Sequence, residues 1–154
     1  MADEYIDIVD SKGHPTGEIK LKSEAHQHGL YHDTVHIWLY TKDGELLFQK
    51  RSNTKAIYPS LWDVSVAGHI SAGETKIQSA IREVEEEIGL QLAEKDLEFV
   101  DVFLEKKNPE PNIYDNEFHY IFFAELTTPI QQLSLQKEEV DDISYTTSMI
   151  SDFI

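Results

Sequence analysis

The chain contains no cysteine among its 154 residues. Disulfide bonds, thiolate catalysis and zinc sites built from thiolates are therefore excluded. Positive charge is also scarce, since 13 lysines and arginines stand against 29 aspartates and glutamates and leave a formal net charge of −16. Because that charge repels phosphate backbones and anionic lipids, we expect neither nucleic acid nor a membrane as a partner.

Long apolar segments are missing as well. No run approaches the roughly 20 residues that span a membrane, and residues 1–10 lack the basic and then apolar parts of a signal peptide. We therefore expect a soluble protein of the cytoplasm. The length and a hydrophobic content of 40% suit one domain with its own core. We expect a single domain over 1–154, as a monomer or homodimer, with an N-terminal extension at 1–33 and a core at 34–154.

Glycines, carboxylates and one arginine are concentrated in the segment 68–90, which we predict to be a loop followed by a helix. The helix is predicted over 75–88, because apolar residues recur there at the spacing of one helical face: Ile77, Ile81, Val84 and Ile88. Gly89 then provides a helix stop. We expect this loop and helix to form the active site.

Three carboxylates of the predicted helix, Glu83, Glu86 and Glu87, are helical neighbours and are expected on the flank away from the apolar stripe. Like charges at this spacing destabilise a helix by about a few tenths of a kcal/mol per pair. Clustered carboxylate oxygens suit Mg²⁺ or Mn²⁺, and such an ion would remove the repulsion. An ordinary solvated acidic helix is the competing interpretation.

The same segment resembles the Nudix box at every defined position: Gly68, Glu74, Arg82, Glu83, Val84, Glu86, Glu87, Gly89 and Leu90. This resemblance implies an α/β fold, an α/β/α sandwich with a mixed sheet, whose helix carries metal on its three glutamates. It also implies that Arg82 pairs with Glu74 to hold the loop to the helix. The implied reaction is hydrolysis of a diphosphate linked to another group, in which metal ions screen the anionic oxygens and activate water.

The base that activates the water is left open by the resemblance. Glu139, which precedes a predicted late strand, is one candidate, and it also fits an ordinary surface acid. Glu86 and Glu117, both within the predicted metal-binding groups, are the alternatives.

Over its whole length, the chain resembles the Nudix branch related to type I isopentenyl-diphosphate isomerase. The matching residues lie in the N-terminal hairpin, the histidine-rich segment, the segment before the box, the box and a late strand: 10–17, Ala25, His26, His32, 50–55, 58–62, Gly68, His69, Asn116 and Glu117. The resemblance implies a second metal site with a transition metal, formed by His26, His32, His69, Asp115 and Glu117. It implies diphosphate binding by Lys22, Arg51 and Lys55. Imidazoles and carboxylates together are a competent shell for such a metal.

Two departures from those isomerases argue against isomerisation. Their mechanism uses a cysteine at the position of Ala67, a position that we also assign to the metal site. Their box is degraded where this chain retains Glu83 and Glu86. We therefore predict a pyrophosphohydrolase that acts on a small-molecule diphosphate, either a prenyl diphosphate or a nucleoside-diphosphate derivative. A catalytically silent binding module and an isomerase are the alternatives.

Alternating, β-rich segments predict the remaining elements. An N-terminal hairpin is expected from 5–9 and 18–21, and a second hairpin from 34–40 and 45–50 around an Asp-Gly turn. Further strands are expected at 63–67, 97–105, 117–126 and 143–145. The proline-containing segment 107–115 is predicted to be a loop bordering the site, and 147–154 a short helix.

Overall fold

A computed structural model describes residues 3–145, which form nine strands and two α-helices. The predicted N-terminal hairpin is present, with β1 (Tyr5–Val9) antiparallel to β2 (Pro15–Leu21). A short helix that we did not predict follows as α1 (Lys22–His28). It ends at Gly29, whose φ of 65° lies in the left-handed region that favours glycine.

The central strand of the main sheet is β3 (His32–Tyr40). One edge of β3 pairs with β1 and with β6 (Val66–His69), both antiparallel. Its other edge pairs in parallel with β8 (Ile113–Glu125), which is antiparallel to β7 (Glu98–Glu110). The sheet is therefore mixed, as predicted.

A second, smaller sheet has the order β5-β4-β9. Its strands are β4 (Phe48–Arg51), β5 (Trp62–Asp63) and β9 (Val140–Ser144). The single strand predicted at 63–67 is wrong, since β5 ends at Asp63 and β6 begins at Val66 in the other sheet.

The predicted helix is α2 (Lys76–Ile88). Thr75 caps its first turn, because its hydroxyl accepts from the N–H of Gln78 while the Gln78 side chain accepts from the N–H of Thr75. Gly89, with φ 72°, ends it. The buried stripe is confirmed at its C-terminal half, where Val84 and Ile88 are fully buried in the core with Val35, Ile37 and Leu39 of β3. This packing places the loop before α2 at the end of β6.

The predicted loop at 107–115 is wrong. β7 and β8 continue to a tight turn, with Glu110 opposite Ile113, and Asn112 takes a left-handed φ of 67° in that turn. β7 is an edge strand, which tolerates the missing N–H of Pro109. The predicted helix at 147–154 lies outside the described residues. Within 3–145, no helix is long and apolar enough to cross a membrane.

Candidate active site

Arg82 on α2 makes several hydrogen bonds to the loop that precedes the helix. Its Nε and Nη2 donate to Glu74 at 2.9 Å each, so the predicted pair is formed. Nη2 also donates to the carbonyl of His69 at 3.3 Å and to the hydroxyl of Ser71 at 3.2 Å. The hydrogen bonds from Arg82 hold the pKa of the Glu74 carboxyl below its usual value. The arginine thus holds both ends of the loop, at His69 and at Glu74, against the helix.

The three helix carboxylates differ in their exposure to solvent. Glu83 and Glu87 are 9% and 5% exposed, whereas the side chain of Glu86 is 49% exposed. Arg82 Nη1 donates to Glu83 at 2.8 Å and to Glu86 at 3.2 Å. Glu87 accepts a hydrogen bond of 2.8 Å from Gln49 on β4. The helix therefore turns one glutamate outward and two inward.

Glu83 and Glu87 form a buried pair of like charges. Burial raises the pKa of Glu87 well above its ordinary value, and the charge of Glu83 raises it further. Burial also raises the pKa of Glu83, despite hydrogen bonds from its neighbours. Such a pair is costly to ionise unless a cation lies nearby. Its oxygen ligands therefore fit the Mg²⁺ or Mn²⁺ that the sequence predicts.

Glu139, the predicted candidate base, is 8% exposed and is not an ordinary surface acid. Its carboxylate is paired with Lys55, and its carbonyl accepts from the N–H of Ser52 at 2.9 Å. Its charge contributes to the raised pKa of Glu87, after burial and Glu83. The small sheet therefore brings Glu139 towards the carboxylates of α2.

A second cluster brings together three imidazoles and one carboxylate: His26, His32, His69 and Glu117. One potential ligand atom from each lies within 4.8 Å of the others. Glu117 Oε2 is 3.0 Å from His32 Nε2 and 3.1 Å from His69 Nε2, and 3.6 Å from His26 Nε2. Four elements, α1, β3, β6 and β8, each supply one of these residues.

The polar atoms of this cluster are incompletely satisfied. His26 Nε2 and Asp115 Oδ1 are buried without a hydrogen-bond partner among residues 3–145, although they lie only 3.5 Å apart. His32 Nδ1 donates to the carbonyl of Leu30 at 3.0 Å, so Nε2 can donate to Glu117 only in the protonated ring. Burial opposes that charge, but the contact with Glu117 raises the pKa of His32. The single oxygen of Glu117 that faces the three imidazoles therefore leaves His26 Nε2 without a hydrogen bond among the described residues. The donor set therefore fits a transition-metal ion.

Burial also keeps one of these imidazoles in the form that binds metals. It lowers the pKa of His69 to about 4, although hydrogen bonding to Glu117 opposes the shift. The neutral ring has a free lone pair, as a ligand requires. Glu117, in contrast, is held in its charged form. Burial raises the pKa of its carboxyl, but hydrogen bonds from the histidines outweigh burial and keep the pKa well below the usual value.

The three basic residues predicted to bind a diphosphate each have a different contact. Lys22 on α1 lies 3.8 Å from Glu4, and Lys55 pairs with Glu139. Arg51 donates to the carbonyls of Ile57 and Tyr58 at 2.8 and 3.0 Å. Arg51 therefore holds its own loop. Ala67 lies on β6, half-buried, opposite His36 of β3.

Sequence reasoning missed one polar group of the site, Gln49. Its amide donates both to Glu87 and to the carbonyl of Ser65, the latter at 3.1 Å. No signal in the sequence identifies it, because Gln49 is 38 residues from Glu87 and meets it only through the packing of β4 on α2.

Comparison with known proteins identifies the class. Residues 30–149 match the NUDIX domain. Nudix hydrolase 3 of Arabidopsis thaliana is 40% identical over 149 residues, which are 94% of this chain and 19% of that protein. Isopentenyl-diphosphate Delta-isomerase of Salmonella heidelberg is 30% identical over 147 residues, which are 95% of this chain and 78% of the relative.

A crystal structure of a protein from Deinococcus radiodurans has a TM-score of 0.69 at 20% identity, and the match covers 94% of this chain and 83% of that one. The chain belongs to the Nudix family, and its α/β/α sandwich is confirmed. The resemblance to the isomerase branch is confirmed too. The family and its hydrolase relatives support the predicted class, hydrolases of phosphoanhydride bonds. The chain spans about a fifth of the Arabidopsis relative, at 19% of its length.

Proposed function

We propose that this domain is a Mg²⁺- or Mn²⁺-dependent pyrophosphohydrolase that cleaves a diphosphate linked to an organic group. The observation that carries the proposal is the buried pair Glu83 and Glu87, joined through Arg82 to the exposed Glu86. A silent binding module has no use for two desolvated carboxylates that repel each other, whereas a metal-dependent hydrolase needs them as ligands.

Each residue of the box then has a role. Arg82 and Glu74 hold the loop against the helix, and Glu83, Glu86 and Glu87, with the position of Ala67, hold the metal. When bound, the ion would screen the phosphate oxygens and lower the pKa of an attacking water. The base that accepts the proton of this water is Glu139, with Glu86 and Glu117 as the alternatives. The burial of Glu139 and its influence on Glu87 favour Glu139.

The substrate proposed is a small molecule, a prenyl diphosphate or a nucleoside-diphosphate derivative. Lys22 and Lys55 are each paired with one carboxylate and can exchange it for a phosphate oxygen. Arg51 can also bind the diphosphate, but only through guanidinium N–H groups that do not donate to the carbonyls of Ile57 and Tyr58. A second, transition-metal site at the histidines belongs to the same proposal, as do a single domain, a cytoplasmic location and a monomer or homodimer.

The proposal is tested with a panel of diphosphates in the presence of Mg²⁺, with products followed by mass spectrometry. The panel contains isopentenyl and geranyl diphosphate, ADP-ribose and a nucleoside-diphosphate sugar. Cleavage of at least one compound, abolished by a chelator, is the expected result. An isomerised product of unchanged mass would identify an isomerase. Binding without any product, with or without metal, would identify a silent module.

A further inference from the structure

A cavity of about 940 Å³ lies on the face of the main sheet that packs against α2. Asp33 lines this cavity and follows His32 on β3, so the two side chains point to opposite faces of the sheet. The cavity is therefore separate from the histidine cluster. Its walls are largely apolar and include Ile77, Phe99 and Phe122.

Asp33 is an incompletely satisfied carboxylate within this apolar lining. Its side chain is 15% exposed, and Oδ1 is buried without a hydrogen-bond partner among residues 3–145. Burial raises the pKa of Asp33, and the charge of Lys76 opposes that shift. A buried acceptor without a donor costs free energy, which a ligand with a donor would recover.

The neighbours of Asp33 indicate which donor would fit. Lys76 Nζ lies 3.9 Å from Asp33 Oδ2 and 4.4 Å from the centre of the Tyr120 ring. A carboxylate on one side and an aromatic face on another are the two groups that recognise an organic ammonium ion. Lys76 is 42% exposed and has a flexible stem, so it can leave this position.

The charge around the cavity favours the same class of ligand. Apart from Lys76, its charged lining residues are all acidic: Asp7, Glu18, Asp33, Glu74 and Glu94. Only Glu74 among them is neutralised by an arginine, Arg82. The cavity therefore attracts cations and disfavours the phosphorylated substrates of the active site.

We propose that this cavity binds a small organic ammonium compound with an apolar body, whose ammonium group replaces that of Lys76 between Asp33 and Tyr120. The apolar body then packs against the aliphatic and aromatic walls. The site borders the box at Glu74 but differs from the hydrolytic site in the charge that it selects, and its test does not depend on turnover.

The test is a titration of the full chain with benzylammonium, followed by ¹H–¹⁵N NMR, with benzyl alcohol as the neutral ligand of similar shape. Shifts are expected around residues 33, 76 and 120 with the ammonium compound only. Asp33→Asn should weaken binding at least about tenfold, through loss of a charge-assisted contact. Lys76→Met should tighten it about two- to fivefold by removing the competing ammonium. Glu110→Gln, which removes a carboxylate outside the cavity, should leave the affinity for benzylammonium unchanged.

Three results would overturn the proposal. Benzyl alcohol binding as tightly as benzylammonium would show that the ammonium is not recognised. Unchanged affinity in Asp33→Asn would remove the carboxylate from the site. Absence of shifts in both the wild type and Lys76→Met would show that the cavity takes no ligand of this class.

Discussion

Gly68 lies so close to Glu83 that a Cβ atom at position 68 would be 2.3 Å from Glu83 Cδ and 2.6 Å from its Oε1. The backbone of Gly68 has no positive φ, so the need for glycine here arises from space and not from chain conformation. The missing side chain lets the carboxylate of Glu83 lie directly against β6. The first glycine of the box therefore positions the glutamate that follows it by fifteen residues.

Gly68→Ala should displace Glu83 and lower turnover at least about tenfold, because a ligand moved by about 1 Å loses much of its effect on the reaction. The Mg²⁺ concentration for half-maximal activity should rise. The melting temperature should change less in Gly68→Ala/Glu83→Asp than in Gly68→Ala, since the shorter side chain relieves the clash. Wild-type turnover and metal dependence in Gly68→Ala would contradict this role.

Glu87→Gln should separate function from stability. Turnover should fall at least about 100-fold with loss of a metal ligand, while the free energy of unfolding in metal-free buffer should stay equal or increase, because a buried like charge is removed. Gln49 can still donate to the new amide oxygen. Steady-state kinetics and urea unfolding measure the two effects.

The matched control for that experiment is Glu85→Gln, on the exposed residue two positions before Glu87. It removes one charge from the same helix and should leave turnover nearly unchanged. Near-wild-type turnover in Glu87→Gln would show that α2 is not the metal platform.

Crystals grown with Mn²⁺ or Zn²⁺ should show an anomalous peak among His26, His32, His69 and Glu117, separate from any peak at the helix carboxylates. Glu117→Ala should abolish that peak, since its carboxylate contacts all three rings. His28→Ala, an exposed histidine on the same short helix as His26, should retain it. A peak that persists in Glu117→Ala would show that Glu117 is not required to hold the metal.

Acid should destabilise the fold through His36. Burial, with repulsion from His119 added, lowers the pKa of His36 from 6.5 to about 3. Between those values the unfolded chain binds more protons than the folded one, so this stability is present above pH 6.5 and is lost as pH falls towards 3. The slope for one group is at most about 1.4 kcal/mol per pH unit.

His36→Gln should therefore flatten the pH dependence of unfolding by urea, measured from about pH 4 to about pH 7. The exposed His28→Gln should follow the wild type. Parallel curves for His36→Gln and the wild type would contradict a neutral His36 with a lowered pKa.

The fold could be predicted largely because its local signals agree with one another. The apolar spacing of α2, the Thr75 cap and Gly89 all indicate the same helix, and its bounds were correct to one residue. The prolines of 107–115 were misleading, because Pro109 lies in an edge strand where its missing N–H is tolerated. α1 has no side-chain cap and only seven residues, and therefore had no signal of its own.

The site could be predicted as a set of residues but not as a geometry. The resemblance brought together the histidines, Asp115 and Glu117, which the structure also places in contact. The inward turn of Glu83 and Glu87 depends on Gly68 and Gln49, and the contact of Lys55 with Glu139 joins residues 84 positions apart. Contacts of this range depend on packing between sheets, which periodicity does not describe.

The proposed hydrolysis requires metal held by α2 to direct water to phosphorus. The most direct measurement is hydrolysis of a confirmed diphosphate substrate in H₂¹⁸O with Mg²⁺, with the label located by mass spectrometry. We expect one ¹⁸O atom bound to phosphorus in a phosphate-containing product, and no labelled product in the presence of a chelator or with Glu87→Gln. Label found only on carbon, in an alcohol released with unlabelled diphosphate, or a rearranged substrate with its diphosphate intact, would contradict attack at phosphorus.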